Sequence, residues 1–177
     1  MKLWQWIGFG VVTLGGTILH FLYDWTGGSI WVAPFSGVNE SVWEHMKLLF
    51  WPLFLFELVQ RLFFRGQENF WRVKLYSILL GLLLIPVLFY TCNGAFGKSP
   101  DWLNITIFYI SAGAVFLFEH WAFQNLRRPS RLAFAVLCLV GILFIIFTFA
   151  PPRFPLFQDP NNNFSFVRTS LPQKAVV

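Results

Sequence analysis

Five long apolar runs, joined by short polar or turn-rich stretches, dominate this sequence. A helix needs about 20 apolar residues to cross about 30 Å of hydrocarbon. The runs fall near residues 4–25, 48–64, 73–91, 102–123 and 132–150, the second with a polar prelude from Asn39. Of the 177 residues, 56% are hydrophobic and 12% are charged. Soluble domains carry roughly a quarter charged residues, and a soluble fold this small could not hide so much apolar surface. The composition therefore excludes a soluble enzyme, a disordered chain and a nucleic-acid module. It points to an all-α integral membrane bundle of five transmembrane helices over residues 1–150, with a Pro/aromatic-rich tail over 151–177.

Orientation follows from the basic residues, which favour cytoplasmic loops. Lys2, Arg61, Arg65, Arg72, Lys74, Arg127, Arg128 and Arg131 fall on the side of the N-terminus. The first and third loops hold only Lys47 and Lys98. The N-terminus is therefore expected inside and the tail outside. The net charge of +5 bears on this orientation and on anionic lipid, not on nucleic acid. Cys92 and Cys138 have no metal-type spacing and imply no disulfide framework. Gly8, Gly10, Gly15 and Gly16 in the first run, and Ser111-Ala112-Gly113-Ala114 in the fourth, suit close helix approach in lipid.

An ionisable residue at membrane depth is costly, so each needs a reason. His20 and Asp24 close the first run on one helical face. After a short turn comes Asn39-Glu40-Ser41-Val42-Trp43-Glu44-His45. In a helix Glu40 shares a face with Glu44, and Ser41 with His45. A hairpin should bring His20, Asp24, Glu40, Glu44 and His45 together at the outer rim. Two imidazoles and three carboxylates suit a proton, a small cation or Zn²⁺, with His20, Asp24 and His45 as the metal set. A structural reading competes: Ser41-Val42-Trp43-Glu44 also fits a helix capping box.

Glu57 lies near the midplane of the second run, where it is either a deeper proton relay or a structural partner of Arg61, four residues on. Glu119 falls near the inner interface, within reach of Arg61, Arg65 or Lys74 as a counter-charge. In the tail, Phe154, Leu156 and Phe157 are expected to pack across the outer mouth, with Arg153 meeting a carboxylate. From Asn161 onward the chain reads as weakly ordered.

The segment 39–45, taken with Pro151-Pro152 and with Pro155-Leu156-Phe157-Gln158-Asp159-Pro160, resembles a family of small uncharacterised bacterial multi-pass membrane proteins. That resemblance implies a bacterial plasma-membrane protein and brings no activity. Separately, Ser41-x-x-x-His45 is similar to an element of the alkaline ceramidase-type membrane hydrolases. It implies a zinc-dependent hydrolase acting on lipid, with His45 as a ligand and Ser41 supporting it. The chain has five expected spans where those enzymes have seven, and it lacks their C-terminal His pair, so His20-x-x-x-Asp24 would have to substitute. The leading expectation is a polar outer pocket, lined by His20, Asp24, Glu40, Ser41, Glu44 and His45 with Glu57 beneath, that binds a cation, a proton or a small polar ligand, as part of transport. The third is an assembly partner, a homo-oligomer or a subunit beside other membrane proteins, in contact with the lipid bilayer.

Overall fold

The computed structural model describes residues 2–97 and 100–159. Its helices are α1 (Lys2–Trp25), α2 (Val42–Phe63), α3 (Phe70–Phe96), α4 (Asp101–Asn125) and α5 (Ala133–Phe149), followed by the short 3-10 turn η1 (Pro155–Phe157). Each apolar run becomes one helix, with ends close to those expected. The exception is α2, which starts six residues before its apolar run. Ser41 is the reason: its backbone is extended (φ −70°, ψ 154°) and its hydroxyl accepts the Glu44 amide at 3.4 Å. The later part of the polar prelude is thus the first turn of the helix, while Asn39 and Glu40 lie before it.

Among the described residues, three helices are long and apolar enough to cross a membrane: Leu3–Trp25, Phe70–Ala95 and Trp102–Asn125. At 17 residues α5 is apolar but short. In α2 the apolar run is broken by Glu57 and Arg61, and Glu44 and Lys47 precede it. Large apolar side chains face outward along the bundle, among them Trp6, Leu14, Leu83, Leu117 and Leu139. Such a surface suggests a lipid environment, because soluble monomers rarely expose large contiguous apolar areas.

Packing explains why α2 carries the charges. It touches α1, α3, α4, α5 and η1, and Leu49, Leu53 and Phe56 lie in a core shared with Val12, Ile78, Val115 and Leu137. Its polar side chains are therefore turned into protein rather than lipid. Glycines let α1 come close: a Cβ at Gly15 would lie 3.1 Å from Pro52, and one at Gly8 would lie 2.6 Å from Phe56 and Phe116.

Alternating helices give the bundle two ends. At one, called the rim here, the chain leaves α1 through Gly27 and Gly28 at positive φ (66° and 78°). The loop then folds back on α1, where the Ser36 hydroxyl accepts the Tyr23 amide at 2.9 Å and donates to the Leu19 carbonyl. At the other, basic end, the Asn69 amide donates to the Leu126 carbonyl and so ties the α2–α3 loop to the α4–α5 loop. Cys92 and Cys138 are both free.

Candidate functional site

At the rim, the hairpin brings His20 and His45 to a ring separation of 5.9 Å. Glu40 bridges them: Oε1 lies 3.7 Å from His20 Nε2, and Oε2 lies 3.6 Å from His45 Nε2. His45 Nδ1 is held 2.9 Å from the Ser41 carbonyl, which aims the other ring nitrogen at Glu40. Solvent reaches this trio, since the Glu40 side chain is 47% exposed. Exposed ion pairs contribute little stability, about 0–1 kcal/mol, so the trio is no structural necessity.

Two of the expected rim residues are not part of it. Glu44 turns inward and is 4% exposed. Its Oε2 accepts the Val38 amide at 2.9 Å and pairs with Lys47 at 2.6 Å. The fully buried Lys47 also donates to the Ala33 carbonyl (2.8 Å) and the Thr148 hydroxyl (3.1 Å). This is a structural knot that joins the loop, α2 and α5. Asp24 is exposed at the end of α1. Among the described residues no three His, Cys, Asp or Glu side chains are placed to hold a metal ion. The structure thus shows no metal set made of His20, Asp24 and His45: His20 and His45 turn to Glu40, and Asp24 is exposed to its surroundings. Ser41 serves as the α2 cap, and half of the capping box forms: the Glu44 carboxylate goes to Lys47 and Val38, while the Ser41 amide donates to Asn39 Oδ1 at 2.9 Å.

Toward the basic end lies a second polar group. Lys74 on α3 pairs with Glu119 on α4 at 2.6 Å and lies 3.9 Å from Glu57 on α2, with all three side chains at most 1% exposed. The rings of Phe70 and Phe123 lie 5.4 and 5.8 Å from the Lys74 ammonium. Of the three cations within reach of Glu119 by sequence, Lys74 is the partner. The expected Glu57–Arg61 pair does not form. Arg61 instead donates to the carbonyls of Phe64 (2.7 Å) and Gln67 (3.2 Å), closing the end of α2. Nearby, Gln5, Gln60, Phe64, Glu119 and Phe123 line a small cavity.

Lys47 had a place in the sequence only as an orientation charge, and Lys74 also as one of three possible counter-charges of Glu119, yet both are fully buried. One signal was available for Lys47, which sits three residues after Glu44 on one helical face. Lys74 has no acid within a helical turn on its own helix, so its partners could come only from tertiary contacts.

The tail behaves in part as expected. Phe157 is buried, with its ring 4.7 Å from Trp43 and 5.6 Å from Phe147, and Leu156 packs against the core. Phe154 is 62% exposed and does not join them. Arg153 is exposed, and no ion pair among the described residues includes it. The rim carboxylates already have imidazole and lysine partners. The segment from Asn161 lies outside the described residues.

Comparison with curated proteins and with solved structures finds no match for this chain, and nothing supports the ceramidase-type resemblance. A family model does match, covering residues 1–164 and described as a family of unknown function (DUF6512). The chain belongs to that family.

Proposed function

We propose that this chain is a multi-pass protein of a bacterial plasma membrane whose rim binds a proton or small cation in the service of transport. Five spans with the N-terminus inside, and an external tail over 151–177, complete the reading. One observation carries it: Glu40 stands between the imidazoles of His20 and His45, half-open to solvent. Imidazole is the side chain that exchanges protons in the physiological range. A proton gained on either ring turns a neutral contact into an ion pair with Glu40. The same contact joins α1 to the chain entering α2, so proton binding would pull on two helices at once. Nitrogen-to-oxygen distances of 3.6 and 3.7 Å suit such a pair. A zinc site would need three or four converging ligands, and among the described residues no three His, Cys, Asp or Glu side chains are placed to hold a metal ion, which favours the proton over the hydrolase.

The test is flux. Purified protein in liposomes loaded with a pH-sensitive dye should dissipate an imposed pH gradient faster than protein-free liposomes. Glu40→Gln should slow that flux about tenfold, a loss of about 1.4 kcal/mol in the limiting step. Wild-type flux no greater than that of empty liposomes would overturn the transport reading.

A further inference from the structure

The basic end holds a group that the rim reading does not use. Glu57, Lys74 and Glu119 come from three different helices and are 0%, 0% and 1% exposed. Two carboxylates face one ammonium, so the group is neutral only with one further positive charge. Lys74 is committed unequally. It makes a short, charge-assisted hydrogen bond of 2.6 Å to Glu119, while Glu57 stands 3.9 Å away, beyond hydrogen-bond reach. Both Glu57 oxygens are buried without a hydrogen-bond partner.

The other neighbours do not supply the missing charge. From α1 comes Gln5, whose amide donates to the Phe116 carbonyl at 3.4 Å. On α2 itself, Arg61 is held by the Phe64 and Gln67 carbonyls. On α4, His120 turns its Nε2 to Gln124 at 3.3 Å. The only acid or base on α5 is the thiol of Cys138. Among the described residues Lys74 is the one cation in an ion pair with Glu57.

A second observation points the same way. Gln60, one turn from Glu57, is 4% exposed and its Oε1 has no partner. It lines the small cavity together with Gln5 and Glu119. Phe64, at the C-terminal cap of α2, lines the same cavity and places it toward the basic end. A polar cavity of this kind suits a water molecule bridging acceptors that would otherwise be buried and unsatisfied.

We propose that Glu57 is a proton-binding site inside the helical bundle. The carboxyl of Glu57 carries one exchangeable proton. Lys74 and Glu119 form the fixed ion pair beside it, and the cavity lined by Gln60 and Gln5 is the route of exchange with the basic end. A proton fits better than a divalent cation, which takes roughly six to eight oxygen ligands and would meet the Lys74 ammonium. The inference stands apart from the rim site.

Dicyclohexylcarbodiimide tests it, because this apolar reagent reacts with protonated carboxyls in apolar surroundings. The carboxyl O–H adds across one C=N bond, the proton passing to nitrogen and the oxygen to carbon, and the O-acylisourea rearranges to a stable N-acylurea. Full-length protein in liposomes should carry the adduct at Glu57, as read by mass spectrometry of its peptides. The label should vanish in Glu57→Gln and fall as the medium is made more alkaline. Lys74→Met should bring a second label to Glu119, while Lys74→Arg should keep the wild-type pattern. If Lys74→Met does not fold, infrared spectra of the wild type decide the matter. A protonated-carboxyl stretch that shifts in D₂O and disappears in Glu57→Gln supports the site, and its absence overturns it. Folded wild-type protein without label at Glu57, with label on Glu119 alone, or with label insensitive to pH also overturns it. Label without flux removes the transport reading alone, and flux without label removes this one alone.

Discussion

Lys47 shows how far one side chain's role depends on its surroundings. An ammonium has three N–H donors, and here they meet Glu44, the Ala33 carbonyl and the Thr148 hydroxyl within 3.1 Å. A fully satisfied buried charge is tolerated, whereas removing one partner of a buried pair costs about 3–5 kcal/mol. Lys47→Met should therefore destabilise the protein by about that amount, seen as a lower thermal unfolding midpoint in detergent. Replacing Glu44 by Leu in the same chain should recover most of the loss, since no orphan charge then remains. A double variant as unstable as the single one would show that Lys47 acts through packing alone. By contrast, the rim trio is half-open, so its substitution should affect function far more than stability.

At the scale of the element, α2 gathers most of what matters. Its first turn is set by Ser41, and a Ser cap replaced by Ala costs about 1 kcal/mol. Ser41→Ala should lower stability by about that much in chemical denaturation. It should leave the ring-to-carboxylate contact in place, because His45 is held by the Ser41 carbonyl and not by its hydroxyl. If Ser41→Ala abolishes flux while the fold persists, the hydroxyl has a chemical role that capping does not explain. The helix also shows why mean apolarity is a poor guide to a central helix. Glu44, Lys47 and Glu57 lie along it, yet each is at most 4% exposed. Neighbouring helices cover one face of α2, which can therefore carry partnered charges that lipid would reject, while Leu55, Val59 and Leu62 on its other face stay exposed.

For the whole molecule, closure of the rim depends on the returning tail. Phe157 seats against Trp43 and Phe147 and joins the chain after α5 to the start of α2. Burial of a ring this size makes Phe157→Ala cost about 3 kcal/mol. The matching readout is faster proteolysis near residue 157. Unchanged proteolysis and stability would show that the tail only rests on the bundle.

Much of this architecture was legible in the residue order. Apolar run length marked each helix, and the hairpin after Trp25 was short enough to bring His20 and His45 together. Local spacing also placed the Ser41 cap. What could not be read was which charge meets which. Helical periodicity assigns a residue to a face of its own helix, but not to the neighbour that face will meet. Lys74 and Glu119 are 45 positions apart, and Lys47 and Thr148 are 101 apart. Arg61 is a single turn from Glu57 and still turns elsewhere, because the carbonyls ending α2 compete for its donors. Residue order alone specifies a helical chain suited to lipid, with acids and imidazoles at the hairpin. Their partners are chosen when the helices pack, because burying a charge is tolerable only where another helix brings the group that satisfies it.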